Sequence, residues 1–138
     1  MARDDRDQAE TLRLTLLARV AQIALTERLR EELGQTYSPS AGSSNSRIYP
    51  GYGTFTLSAT AAADQIATVQ AAMRALAADL AARPVDADML ERAARPLLES
   101  YDNALKDLGG WLGLAARAQS EPDRLTRWQA APALIRAS

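Results

Sequence analysis

From about Asp5 to Leu33 apolar residues recur at three- and four-residue spacing. Leu12, Leu16, Val20 and Ile23 form the main stripe, and Leu14, Leu17, Ala18, Ala21 and Leu25 widen it. This is the period of an α-helix covered on more than one side, with Asp4 or Asp5 placed to accept from the free N–H groups of its first turn. Steps of seven carry the stripe from Leu16 to Ile23 and on to Arg30, which puts the arginine on the face expected to be buried. The pattern stops at Gly34, a residue able to take the left-handed backbone of a helix end without the steric cost of a Cβ. Arg30 then lies in the last turn and Tyr37 at the start of the next element, so both can project near one groove.

Beyond Gly34 the period changes. Thr36 to Ser46 is extended, small and rich in hydroxyls, and Thr54 to Thr60 alternates strictly, with Phe55, Leu57 and Ala59 on one face. Tyr49-Pro50-Gly51-Tyr52-Gly53 between them has strong turn chemistry, so residues 36–61 read as an antiparallel hairpin with a loop around Ser44 to Gly53. A helix over 63–82 comes next, with Ile66, Val69, Met73, Leu76 and Leu80 as its stripe and Arg83-Pro84 as its end. A further helix over 86–108 opens on Asp86, with Val85 and Leu90 placed as a hydrophobic staple and Pro96 expected to kink it. Gly109-Gly110 is expected to break that helix, leaving short helices over 111–119 and 124–129 and an uncapped apolar run at the end. The order helix, strand, strand, helix, helix predicts an α+β fold: helices layered on an antiparallel sheet, of ferredoxin-like character, in one domain over 1–138.

Composition narrows the chemistry. Apolar residues are 47% and charged residues 24% of the 138, as in a globular domain, while aromatics are only 5%, so the core should be aliphatic. A net charge of −1 supplies no electrostatic attraction to nucleic acid or to an anionic membrane, and neither is expected as a partner. The chain contains no histidine and no cysteine. Ser-His and Cys-His nucleophile systems are therefore excluded, and no zinc site built on imidazole or thiolate can form within it. The carboxylates fall mostly at helix starts and on polar faces, where a solvated surface role is expected.

The run Leu29-Arg30-Glu31-Glu32-Leu33-Gly34-Gln35-Thr36-Tyr37-Ser38 carries a resemblance. With Gly51-Tyr52-Gly53-Thr54-Phe55 and the two helices after it, the second opening at Val85-Asp86, it resembles the later, C-terminal-type domain of the pitrilysin/insulinase family of zinc metallopeptidases. The resemblance covers roughly residues 12 to 136. It implies repeated α+β domains closing around a peptide substrate, with zinc on a His-x-x-Glu-His helix of an N-terminal-type domain. Nothing here matches that motif, so the implied cofactor is zinc bound by another domain and none in this chain. The implied partners are an N-terminal-type zinc domain, in the same protein or as a partner subunit, and the peptide substrate.

The family's arginine and tyrosine, which hold the substrate backbone and stabilise the tetrahedral intermediate, match Arg30 and Tyr37. A guanidinium and a phenol suit that role, because a carbonyl under attack develops negative charge. The plainer alternatives are an arginine satisfying the last carbonyls of its own helix and a half-buried strand tyrosine. The resemblance makes the chain the substrate-binding, non-zinc part of a bacterial metalloendopeptidase, inactive alone, with a periplasmic or cytoplasmic site left open. The alternative is a noncatalytic peptide-binding or chamber-forming subunit. The family pattern opens with a strand before the first helix, so the chain reads as an incomplete domain, a fragment. Its unpaired strand edge, with the wide apolar surface of the first helix, is expected to draw it into a homodimer.

Overall fold

A computed structural model of the chain describes residues 6–33 and 38–138. The fold is α+β. Helix α1 (Gln8–Leu33) is the axis, and both strands and three of the other helices pack against it. At 1.5 Å rise per residue it is roughly 39 Å long, and successive segments of it meet different neighbours. Leu25 and Leu29 pack with Val69, Ala72 and Leu76 of α2 (Ile66–Ala82). Leu16 and Val20 pack with Ala93 of α3 (Ala87–Ala104). Leu12 packs with Leu97 of α3 and with Ala131 and Ile135 of α5 (Arg124–Arg136). This division explains why apolar residues widen the stripe of α1: no single face could serve all these partners.

Strands β1 (Ser40–Asn45) and β2 (Gly53–Ser58) pair antiparallel, from Ser40 opposite Ser58 to Asn45 opposite Gly53. Ala41 and Leu57 face each other on one side, as do Ser43 and Phe55, and Ala59 just beyond packs on the Leu25 cluster. On the other side the Ser40 and Ser58 hydroxyls share a hydrogen bond of 2.7 Å. The connecting loop is closed by Ser46 N–H donating to the Tyr52 carbonyl at 2.9 Å and by Gly51 at φ 72°. Among the described residues the sheet has two strands, so each keeps an unpaired edge.

Several local expectations are corrected. The large apolar residues of α1 are buried or half-buried, and exposed ones lie instead at the hairpin tip (Ile48, Tyr49, Tyr52) and on α4 (Leu108–Ala115), as Leu108, Trp111 and Leu112. Ile66, the first member of the α2 stripe, is exposed, and a 3₁₀ turn at Ala63–Gln65 leads into the helix there. Helix α3 runs on through Pro96, then ends at Ala104 rather than at 108. The glycine pair does not separate helices but sits in the first turn of α4, where the Asp107 side chain accepts from Gly110 N–H at 2.9 Å. A Cβ on Gly110 would lie 1.4 Å from the Ala104 carbonyl oxygen, so this close crossing requires glycine. Helix α5 extends through Pro132 to Arg136, because Ala131 and Ile135 are buried in the Leu12 cluster and packing outweighs one missing backbone donor.

Charged groups fasten α2 to α1. Arg28 donates to Asp79 at 2.9 Å, and Arg83 meets the other oxygen of Asp79 at 2.9 Å. The Arg28 hydrogen bond first, and Arg83 second, hold the Asp79 carboxyl below its ordinary range. A carboxyl whose folded pKa is lowered takes up its proton more readily in the unfolded chain. Its contribution to stability is therefore full above the ordinary aspartate value of ~3.9 and is lost as pH falls through the lower folded value. The Tm of the chain is expected to drop as pH is lowered through this window. In Asp79→Asn the drop should be smaller, and thermal melts across acidic pH compare the two.

Candidate functional site

Arg30 stands on α1 where the helix faces α3. Its guanidinium lines an open groove of about 360 Å³ between the two helices, together with Ile23, Thr26 and Glu27 on one wall and Arg92 and Pro96 on the other. The expectation that Arg30 lies on a buried face is corrected: it is exposed, because α3 packs on Leu16 and Val20 lower on the helix. The neighbouring arginine behaves differently. Two residues on a helix are 200° apart, so Arg28 turns toward α2 and Asp79 while Arg30 turns toward α3.

Among the described residues Arg30 makes neither a hydrogen bond nor an ion pair, so it is not observed capping the carbonyls of its own helix. Glu27, one turn earlier, is engaged instead by Arg92 at 2.7 Å, a bridge that joins α1 to α3 across the groove floor. That hydrogen bond, with the charge of Glu27, raises the pKa of Arg92. The groove thus presents an uncommitted planar cation beside a satisfied ion pair. Such a guanidinium can donate two parallel hydrogen bonds to a peptide carbonyl or carboxylate.

Tyr37, the second residue expected at the site, lies in the segment 34–37, outside the described residues. Two positions further on, Pro39 is buried, and β1, which packs on α1, starts at Ser40. Sequence reasoning missed Arg92 and Glu27 as a pair. They are 65 positions apart, and no local periodicity links them.

A family model described as the peptidase M16 inactive domain matches residues 3–97. The chain belongs to that family: it is a C-terminal-type domain of the pitrilysin/insulinase peptidases, a non-catalytic domain that pairs with a catalytic one. The matched residues hold α1, the hairpin, α2 and most of α3, including both walls of the groove at Arg30. No curated protein and no solved structure matches the chain significantly. The residues themselves do not suit a metal. The chain has neither histidine nor cysteine, and among the described residues no three acidic groups cluster as ligands.

Proposed function

We propose that this domain is the substrate-holding half of a bacterial zinc metalloendopeptidase. It would lie against an N-terminal-type zinc domain, in the same protein or as a partner subunit, and grip the peptide backbone between them. Arg30 and Tyr37 would donate to the oxygen of the scissile carbonyl as charge develops on it. The zinc, held by the other domain, would supply the activated water. The observation that carries this reading is Arg30 itself: an exposed arginine on a groove wall, uncommitted among the described residues, inside the span that matches the family. An arginine kept for structure alone would be expected to meet a carbonyl or carboxylate of its own fold.

Mixing experiments test the assignment. The chain alone should hydrolyse no peptide, and activity should appear when it is combined with a zinc-bearing N-terminal-type domain from the same genome. Light scattering on the same samples reads association. The unpaired edges of the two-stranded sheet favour a homodimer of the chain alone, replaced by a mixed complex once the zinc domain is added. A mixed complex that forms but cleaves nothing would favour the noncatalytic, chamber-forming subunit instead. Stoichiometric zinc retained by the chain alone would overturn both.

A further inference from the structure

The groove at Arg30 runs along α1 as far as Arg19, eleven residues earlier in the chain. Eleven residues make three helical turns to within about 20°, so both guanidiniums stand on one face, roughly 17 Å apart along the axis. An extended peptide covers that span in about five residues. Gln22 and Thr26 lie on the same wall between the two arginines, and Pro96 of α3 lies opposite. The Thr26 hydroxyl donates to the Gln22 carbonyl at 2.7 Å, which leaves its oxygen able to accept. The Gln22 amide offers a donor and an acceptor, the two groups that a peptide backbone presents.

Charge in this groove is answered at only one point. Glu27 is the only carboxylate among the described residues that line it, and Arg92 takes that group at 2.7 Å, with Asp88 also acting on Arg92. Arg19 is exposed and, like Arg30, makes neither a hydrogen bond nor an ion pair among the described residues. The sequence explains why. The positions three and four residues from Arg19 on α1 are Thr15, Leu16, Gln22 and Ile23, and none of them carries a negative charge. Arg13 and Arg95 have Glu10 and Glu99 at that spacing and meet them. The groove therefore holds two unanswered cations in a chain whose net charge is −1, so the excess is local to this face.

We propose that Arg19 is a carboxylate subsite of this groove. It takes an acidic side chain, or the C-terminal carboxylate, of a peptide lying along α1, about five residues from the bond held at Arg30. The assignment rests on the peptide-holding reading above and adds a substrate class to it: peptides with a negative charge at that distance. A guanidinium selects this ligand because it matches a carboxylate with two parallel donors.

Calorimetry of synthetic ten-residue peptides with the chain tests the subsite. One peptide carries glutamates near an amidated end, a second has glutamines and a free C-terminal carboxylate, and a third has glutamines and an amidated end. One or both charged peptides should bind about tenfold more tightly than the neutral one, by a margin that shrinks as salt is added. Which of them gains shows whether a side chain or a chain end is read. Arg19→Gln should bring the charged peptides down to the affinity of the neutral one. Arg74→Gln makes the same change in net charge on exposed α2, outside the groove, and should keep the preference. In a mixed complex with the zinc domain, cuts should fall about five residues from the acidic position.

Equal affinity for all three peptides would overturn the subsite and leave peptide holding intact. A preference that survives Arg19→Gln but vanishes in Arg30→Gln would place the carboxylate at Arg30 and overturn it too. Loss of the preference in Arg74→Gln as well would reduce it to general charge attraction, and cuts unrelated to the acidic position would remove the stated distance. Absence of binding by every peptide would remove the underlying reading together with the subsite.

Discussion

Tyr37→Phe in the proposed peptidase assembly is expected to lower kcat by roughly a hundred- to a thousand-fold while leaving the Tm nearly unchanged. Loss of one donor aimed at a developing oxyanion costs about 2.7 to 4 kcal/mol of transition-state stabilisation. Phenylalanine keeps the aromatic ring and removes only the hydroxyl. Arg30→Lys should fail comparably. A lysine preserves the charge, but a compact ammonium cannot reproduce the forked donor geometry of a guanidinium. Because Arg30 is exposed and uncommitted among the described residues, its loss should not destabilise the fold. Steady-state kinetics with thermal melts on both variants separate this role from a structural one. A structural role predicts the reverse: a lower Tm with the rate per folded molecule retained. Near-normal kcat/KM in both variants would remove Arg30 and Tyr37 from the mechanism.

Leu25→Ala should be the most destabilising single truncation in the core, by about 2 to 5 kcal/mol. Leu25 is fully buried and sits where α1 meets Val69, Ala72 and Leu76 of α2, with Ala59 and Ala61 of the chain after β2 closing the cluster. Alanines around it cannot extend to fill the space, so most of the volume would remain as a cavity. By contrast, Leu112→Ala on exposed α4 should change stability little, since that side chain is 59% accessible. Chemical denaturation of the two variants makes the comparison. Equal losses would mean that α4 is packed in solution against something other than this chain.

The amino-acid sequence by itself determined the main element types and their order. The long apolar period before Gly34, the strict alternation from Thr54 to Ser58 and the cap at Asp86 are local signals. Each acts through backbone geometry or nearest neighbours on one element. The Leu-Arg-Glu…Gly…Tyr run carried the family in the same way, as a short stretch readable without knowledge of the fold.

Only the tertiary structure decided which face of α1 meets which partner. Leu16, Ile23 and Arg30 share a stripe at seven-residue spacing, yet Leu16 is buried, Ile23 half-buried and Arg30 exposed. The reason is that α3 covers α1 at Leu16 and Val20 and leaves a groove further along, a fact set by packing between distant segments. Gly110 is a similar case. The sequence marks a glycine pair, but its role comes from the Ala104 carbonyl that approaches it. The ion pair of Arg47 with Glu121, at 2.9 Å, is the clearest example. Arg47 and Glu121 are 74 positions apart, and nothing along the chain announces that they meet. Ion pairs of that kind have no sequence period, because they form only after the hydrophobic faces of α1, α3 and α5 have fixed where the polar groups stand.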